Sequence, residues 1–149
     1  MRISEVCSLK PQDIDLGNGV ILIYGKGAKE RRLQIGNQDV ANILTEYADD
    51  YSDNIDKAGY FFVNQNGRPY SDQAVRRMIS KYASLSGISM HITPHMFRHT
   101  FATSLLESDV DIRYIQEMLG HADVSSTQIY SQLVKKQLKD TYKRTHPRA

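Results

Sequence analysis

The sequence predicts a mainly α-helical fold with a small antiparallel β-sheet, an α+β class, and two observations carry this prediction. Apolar residues recur at helical spacing through most of the chain after Gly36. Before Gly36, residues 20–24 and 31–35 read as strands and flank the glycine-containing turn at residues 25–29, which is the pattern of a β-hairpin. With 149 residues, the chain is long enough to form one domain with its own core.

The N-terminal part contains a helix and the hairpin. Residues 2–9 are periodic enough for a helix, which Pro11 ends. Residues 13–15 precede a glycine-rich turn and could add a short third strand to the sheet. The tip of the hairpin carries a base, Lys26, between two glycines.

Apolar stripes predict the first two helices after Gly36. Their members are Val40, Ile43, Leu44 and Tyr47 in the first helix, and Val75, Met78, Ile79 and Tyr82 in the second. These stripes place Tyr47 and Tyr82 in the core. A short buried segment at residues 60–63 separates the two helices, and Gly87 ends the second.

Capping residues predict the bounds of the later helices. Thr93 is a good N-cap with Pro94 at the first helical position. The core stripe expected on this helix consists of Phe97, Phe101 and Leu105. Asp111 caps the next helix, which Gly120 ends in the left-handed conformation. Two further helices are expected beyond Gly120, the last over roughly residues 133–142.

Composition and charge limit the possible classes of protein. The hydrophobic share of 40% is ordinary for a soluble globular chain, and no apolar run approaches the roughly 18 residues of a membrane span. No charged-then-apolar leader follows Met1, and the single Cys7 cannot form an internal disulfide, so we expect a cytoplasmic protein. We interpret Cys7 as a small packing residue rather than a nucleophile.

The formal net charge of +2 is a weak argument for nucleic acid, but its distribution is more informative. Residues 39–56 hold six acids and no base, whereas residues 131–149 hold six bases and one acid. Such asymmetry suits a protein with one face toward a polyanion. A solvated acidic helix and a solvated basic tail are the plainer interpretation, which charge alone favours.

Residues 93–130 concentrate side chains that suit phosphate chemistry. His95 and Arg98 lie three residues apart and share a helix face, and the first turn of a helix attracts phosphate. His121 follows Gly120 at a helix end, where the backbone can approach a ligand closely. Tyr130 follows in a short polar segment, which distinguishes it from the eight other tyrosines.

Two further basic residues, Arg2 and Lys26, stand upstream of this segment. The six candidate catalytic residues are therefore Arg2, Lys26, His95, Arg98, His121 and Tyr130. They make up what a metal-free phosphoryl-transfer site on DNA requires, because cations neutralise the phosphodiester and a tyrosine attacks it. Each residue taken alone has a structural interpretation as a surface cation, a capping histidine or a packed tyrosine.

A zinc site built from His95, His99 and His121 is the alternative use of the histidines. It is disfavoured because Met96 stands where the zincin motif needs a glutamate, and Arg98 in the same turn would repel a dication. We interpret His99 as structural and predict neither a metal ion nor another cofactor.

Four sequence motifs occur in order along nearly the whole chain. They are Arg2-Ile3-Ser4-Glu5, Gly25-Lys26-Gly27-Ala28-Lys29-Glu30-Arg31, Thr93-Pro94-His95-Met96-Phe97-Arg98-His99-Thr100, and Leu119-Gly120-His121 with Thr127-Gln128-Ile129-Tyr130. Together they resemble the catalytic domain of the tyrosine recombinases, the phage integrase family, and are closest to its bacterial Xer-type and transposon-borne members. One motif alone would be weak, but four in this order are specific.

The resemblance implies a role for each site residue. Tyr130 would attack the scissile phosphodiester, form a 3′-phosphotyrosyl bond and release a 5′-hydroxyl. Arg2 and Arg98 would hold the non-bridging oxygens, and Lys26 would protonate the leaving oxygen. The remaining roles are those of His95 as acid or base toward the tyrosine, His121 as a hydrogen-bonding partner of the phosphate, and Glu5 as a support for Arg2.

The resemblance also implies the partners and the surroundings of the protein. These are double-stranded DNA and a homotetramer on two DNA sites, in a bacterial cytoplasm and associated with the nucleoid. Residues 1–149 would form a single catalytic domain, and the basic residues 133–149 would dock on a neighbouring protomer. No membrane and no small-molecule cofactor would take part.

The sequence departs from the family at two places. Members usually carry a DNA-binding domain and further helices before the residue that matches Arg2, so the domain would be partial at its N-terminus. The isolated chain is therefore expected to bind DNA weakly and to cleave it poorly. Ser108-Asp109 stands where the family often has a glycine turn, which predicts a slightly altered loop.

Two other functions stay open at this point. One is a catalytically idle DNA-binding remnant of a recombinase, and the other is a topoisomerase-like enzyme that nicks and relaxes DNA with the same site. A covalent adduct that depends on Tyr130 would separate an enzyme from the remnant. Relaxation of a supercoiled plasmid without recombination would indicate the topoisomerase.

Overall fold

The computed structural model of the protein describes residues 1–25 and 30–120. The described elements are mostly helices, with a three-stranded antiparallel sheet near the start of the chain, as the sequence predicts. The chain divides into two compact units, Met1–Arg98 and His99–Ala149. None of the described helices is long and apolar enough to cross a membrane.

The first unit begins with a short helix and the sheet. Helix α1 spans Ile3–Cys7, a 3-10 turn spans Pro11–Asp13, and strands β1, β2 and β3 span Ile14–Asp15, Val20–Tyr24 and Glu30–Gln34. The strands lie in the order β1-β2-β3, and both pairs are antiparallel. The third strand that the sequence allowed is present as β1.

The register of the hairpin decides which side chains of β3 face inward. Ile23 of β2 is buried, with 2% of its surface exposed, and lies opposite Arg31. Arg31 is partly covered while the next residue, Arg32, is exposed, as the two-residue period of a strand requires. Arg31 therefore occupies an inward position, where burial of a charge requires a partner.

Helices make up the rest of the described chain. Helix α2 spans Gln38–Asp50, α3 spans Ser52–Ala58, α4 spans Asp72–Leu85, α5 spans Pro94–Glu107 and α6 spans Ile112–Leu119. The predicted start of α5 at Pro94 is confirmed. Gly120 ends α6 as predicted and has a positive φ of 76°, but its ψ of 119° lies outside the left-handed helical conformation that the sequence predicted. Helix α3 was missed because it buries only Ile55 and shows no apolar stripe.

Polar side chains cap the starts of three of these helices. Asn37 Oδ1 accepts from the Asp39 backbone N–H at 2.8 Å, Ser71 Oγ from that of Ala74 at 3.2 Å, and Asp111 Oδ1 from that of Arg113 at 2.8 Å. The cap predicted at Asp111 is thereby confirmed.

Aromatic packing holds α2 against the segment that follows α3. The centroid of the Tyr47 ring lies 5.7 Å from that of Phe61 and 5.8 Å from that of Phe62. The Tyr47 hydroxyl accepts from the backbone N–H of Val63 at 2.8 Å and donates to its carbonyl at 3.2 Å. Burial raises the pKa of Tyr47, so the phenol stays protonated. The interpretation of Tyr47 as a packing residue is confirmed.

Three side chains predicted in the core are exposed instead. The exposed fractions are 60% for Tyr82 of α4, 59% for Phe97 and 50% for Phe101 of α5. Val40 and Ile43, on the predicted stripe of α2, and Met78, on that of α4, are also exposed. The core prediction was wrong here because periodicity identifies an apolar face but not whether another element covers it.

The second unit has a small core of its own. Its members are Ala102, Leu106 and Ile115, with Leu105, Val110, Ile112 and Leu119 packed against them. The turn between α5 and α6 contains Asp109 with φ of 59°, in the left-handed region. Glycine adopts this conformation without strain, so a glycine would suit this turn better than Asp109 does.

Candidate active site

Arg2 is held at the start of α1 by the carboxylate of Glu5. The backbone N–H of Arg2 donates to Glu5 Oε2 at 2.6 Å, and its guanidinium Nη1 donates to Glu5 Oε1 at 3.0 Å. An acid at the third helical position that bonds back to the capping residue is a common helix start. The local sequence Arg2-Ile3-Ser4-Glu5 thus fixes the backbone and the side chain of Arg2 together.

A second arginine reaches Glu5 from the sheet. Arg31 Nη1 donates to Glu5 Oε1 at 3.1 Å, and Arg31 Nη2 donates to Oε2 at 2.6 Å. This is the two-pronged pairing that a planar guanidinium makes with a carboxylate. Each oxygen of Glu5 therefore accepts one bond from Arg2 and one from Arg31.

The charge of Glu5 is set by two opposing effects. Burial raises the pKa of this carboxyl, whose side chain is only 8% exposed. The hydrogen bonds from Arg31, the backbone N–H of Arg2 and the charge of Arg31 outweigh burial and lower the pKa from 4.5 to about 2. Glu5 is therefore ionised at neutral pH and acts as a fixed negative support rather than as a proton donor.

Arg98 lies in the same charged neighbourhood. Its charge acts on the amino group of Met1, whose pKa is lowered first by burial and then by the positive charge of Arg98. Arg31 and Arg2 act in the same direction, and Glu5 opposes them. Three guanidiniums and one carboxylate therefore surround the start of the chain, with an excess of two positive charges. Such a cluster can bind an anion with several oxygens.

Helix α5 carries both the histidines and Arg98. His95 is exposed in its first turn, three residues before Arg98, which is half-buried with its Nη1 atom shielded from solvent. His99 is partly buried one residue further along. The helix start and the Arg98 guanidinium are both features that favour a phosphate, and His95 is the exposed imidazole beside them.

Two of the six predicted site residues are thus brought together, and a third shares a helix with one of them. Arg2 and Arg98 lie around the same amino group, and His95 precedes Arg98 on α5. The other three, Lys26, His121 and Tyr130, lie outside the described residues, as does the basic segment at 133–149. Among the residues that the structure covers, no group of three or more His, Cys, Asp or Glu side chains could hold a metal ion.

Sequence reasoning missed Arg31 as part of this site. The sequence placed it in a strand and at the end of the Gly25–Arg31 motif without giving it a role, and its position opposite the buried Ile23 is known only from the structure. A charge at the inward position of an alternating strand needs a partner, and Glu5 was the acid already placed near Arg2. Pairing the two would have required knowing that α1 packs beside β3.

Cys7 has the properties of a packing residue. Burial raises the pKa of its thiol, and the Asp72 carboxylate adds to this by its charge and by accepting the thiol hydrogen bond, which together bring the pKa to about 11. The thiol is therefore protonated at neutral pH and a poor nucleophile. The contact with Asp72 also joins α1 to the start of α4.

Comparison with known proteins identifies the family. The sequence profile described as the phage integrase family matches residues 1–137. The chain belongs to the phage integrase family. A tyrosine recombinase of Agathobacter rectalis is 63% identical over 148 residues, covering 99% of this chain and 48% of the relative. Tyrosine recombinase XerC of Bacillus pumilus is 41% identical over 155 residues, covering 100% of this chain and 50% of the relative.

Solved structures of this family share the fold. The crystal structure of XerA recombinase superposes with a TM-score of 0.80 and 35% identity, covering 99% of this chain and 54% of that one. The structure of XerH site-specific recombinase, in a post-cleavage complex with a palindromic difH substrate, superposes with a TM-score of 0.77 and 30% identity. The match covers 95% of this chain and 41% of that one. The chain thus spans about half the length of the relatives it matches. The mainly helical phage integrase fold with a small sheet is confirmed.

Proposed function

We propose that the chain is the catalytic part of a tyrosine-type site-specific recombinase that cleaves and rejoins double-stranded DNA. Three arginines carry this proposal: Arg2 and Arg31 bind the Glu5 carboxylate, and Arg98 acts with them on the Met1 amino group, so that the excess positive charge suits a phosphodiester. Relatives named tyrosine recombinase, and the XerH structure that holds its difH substrate, support DNA as the partner.

Cleavage uses Tyr130 as the nucleophile. Its phenol oxygen attacks the scissile phosphorus, the bond from phosphorus to the 5′-oxygen breaks, and a 3′-phosphotyrosyl linkage forms. The phenol proton passes to His95 acting as base, and Lys26 donates a proton to the departing 5′-oxygen. The 5′-hydroxyl of another strand then reverses these steps, so the protein–DNA bond conserves the energy needed for rejoining.

The arginines stabilise the charge that develops on the phosphate. Arg2 and Arg98 donate to the non-bridging oxygens, and a planar guanidinium suits this better than a lysine. Glu5 stays ionised because its pKa is about 2, so the orientation of Arg2 does not change through the neutral range. His121 donates a further hydrogen bond to the same phosphate.

The assembly that suits this reaction is a homotetramer on two DNA sites, within the bacterial cytoplasm and at the nucleoid. Residues 133–149 would dock on the neighbouring protomer. Residues 131–149 hold six bases and one acid. This positive charge would equally suit contacts with the DNA backbone.

A second candidate is a DNA-binding protein with little or no catalytic activity. The same arginines support it, because Arg2, Arg31 and Arg98 could hold a DNA phosphate without any attack by Tyr130.

A covalent-trapping assay tests the proposed function. The purified chain is incubated with a nicked suicide duplex that carries the attachment site of the Agathobacter rectalis relative, beside Tyr130→Phe. We expect a protein–DNA adduct that resists SDS and is absent with Tyr130→Phe. DNA binding without any adduct would support the second candidate, and an adduct that persists in Tyr130→Phe would reject Tyr130 as the nucleophile.

A further inference from the structure

Arg31 is a largely covered arginine on the strand that follows the hairpin tip. Its side chain is 10% exposed, and the residue opposite it on β2 is the buried Ile23. A guanidinium in such a place is costly unless its charge is paired, and Glu5, 26 positions away, provides the pair. The contact therefore connects two parts of the chain that lie far apart in sequence.

Arg2 and Arg31 make different use of the same carboxylate. Arg31 holds both oxygens of Glu5 through its two terminal nitrogens, whereas the Arg2 side chain bonds Oε1 through Nη1. The Arg2 side chain is 27% exposed, and that of Arg31 is 10% exposed. The Arg2 side chain is thus the more exposed of the two, and both guanidiniums share the Glu5 carboxylate.

We propose that Arg31 is a positioning residue for strand cleavage, acting through Glu5 on the guanidinium of Arg2. This inference rests on the proposed function. The paired fork of Arg31 fixes the plane of the Glu5 carboxylate, and that plane sets the direction of the Arg2 Nη1 bond. Arg31 follows Lys26 by five positions, so the same ion pair ties the base of the Lys26 hairpin to α1.

The chain offers a matched control in the neighbouring residue Arg32, which is exposed on the other face of β3. Arg31→Lys and Arg32→Lys both keep the charge, so they preserve the long-range attraction to DNA. Only Arg31→Lys removes the two-pronged pairing, because an ammonium cannot bond both oxygens in a fixed plane. Arg31→Gln is the stronger variant, and urea unfolding shows whether each variant is folded.

The first readout is independent of catalysis. The NMR signal of the Arg2 side-chain N–H is observed in protein labelled with 15N-arginine and is assigned by its loss in Arg2→Lys. In the unmodified chain and in Arg32→Lys, we expect its chemical shift to differ from that of a solvated arginine. In Arg31→Lys it should move toward the shift of a solvated arginine. An unchanged Arg2 signal in folded Arg31→Lys and Arg31→Gln would overturn the proposal, whether or not the chain cleaves DNA.

The second readout is the single-turnover rate of adduct formation at saturating DNA. Arg31→Lys should lower this rate on the order of 10-fold with little change in DNA affinity, while Arg32→Lys leaves it unchanged. In an Arg2→Lys background, Arg31→Lys should have no further effect, because the residue it positions is gone. An equal loss in both backgrounds would overturn the proposal, whereas no adduct with any variant would count against the proposed function alone.

Discussion

A single carboxylate organises the described part of the site. Glu5 takes hydrogen bonds from the backbone of Arg2, from its side chain and from Arg31, and each of these contributes to its lowered pKa. Replacing either arginine would leave a buried negative charge only partly compensated, which is more costly than losing an exposed ion pair. The same residue therefore matters for stability and for the orientation of Arg2.

The pH dependence of unfolding tests this role of Glu5. Its pKa in the folded protein, about 2, lies below the ordinary 4.5, so the stabilisation is complete above pH 4.5 and is lost as the pH falls toward 2. Glu5→Gln should lower the free energy of unfolding at pH 7 by about 3 kcal/mol. Urea titrations between pH 7 and 2.5 should show a shallower acid dependence for Glu5→Gln than for the unmodified chain. Identical slopes would contradict the assigned pKa.

At the scale of elements, exposed and buried apolar residues should differ sharply in their contribution to stability. Leu85 ends the exposed stripe of α4 and is 70% exposed, whereas Leu106 of α5 is 1% exposed in the core of the second unit. Leu85→Ala should change the free energy of unfolding by less than about 0.5 kcal/mol, and Leu106→Ala should cost about 3 kcal/mol. Chemical denaturation followed by circular dichroism measures both, and a large cost at Leu85 would mean that its side chain is covered in solution.

The elements could be predicted where local chemistry decides them. The hairpin strands, the start of α5 at Pro94 and the Asp111 cap follow from alternation and capping, which depend on neighbours in sequence. Exposure of Tyr82 and Phe97 could not be predicted, since it depends on what packs against a helix face. The Glu5–Arg31 pair was missed for the same reason, because it joins residues that only the tertiary fold brings together.

At the scale of the whole molecule, the length of the relatives bears on activity. This chain matches about half the length of each relative. In the part of the chain that the structure describes, apolar faces on α2 and α4 are exposed. Joining the chain to the portion of the Agathobacter rectalis relative that it does not match should raise the yield of Tyr130-dependent adduct at least about 10-fold, because extra DNA contacts act at high effective concentration. Equal yields with and without the added portion would show that the chain alone suffices.

The tandem arginines of β3 have a consequence for how the hairpin finds its pairing. If β3 slipped by one residue against β2, every side chain of β3 would change face, and Arg32 would replace Arg31 opposite Ile23. An arginine would still be able to pair with Glu5, so the ion pair does not distinguish the slipped register from the correct one. β2 is apolar on both faces and discriminates poorly as well. Two other features therefore select the correct register. Leu33 would be turned out to water in the slipped pairing. The backbone hydrogen bond from Ile35 N–H to the Gly19 carbonyl, at 2.7 Å, closes the open end of the hairpin in the correct one.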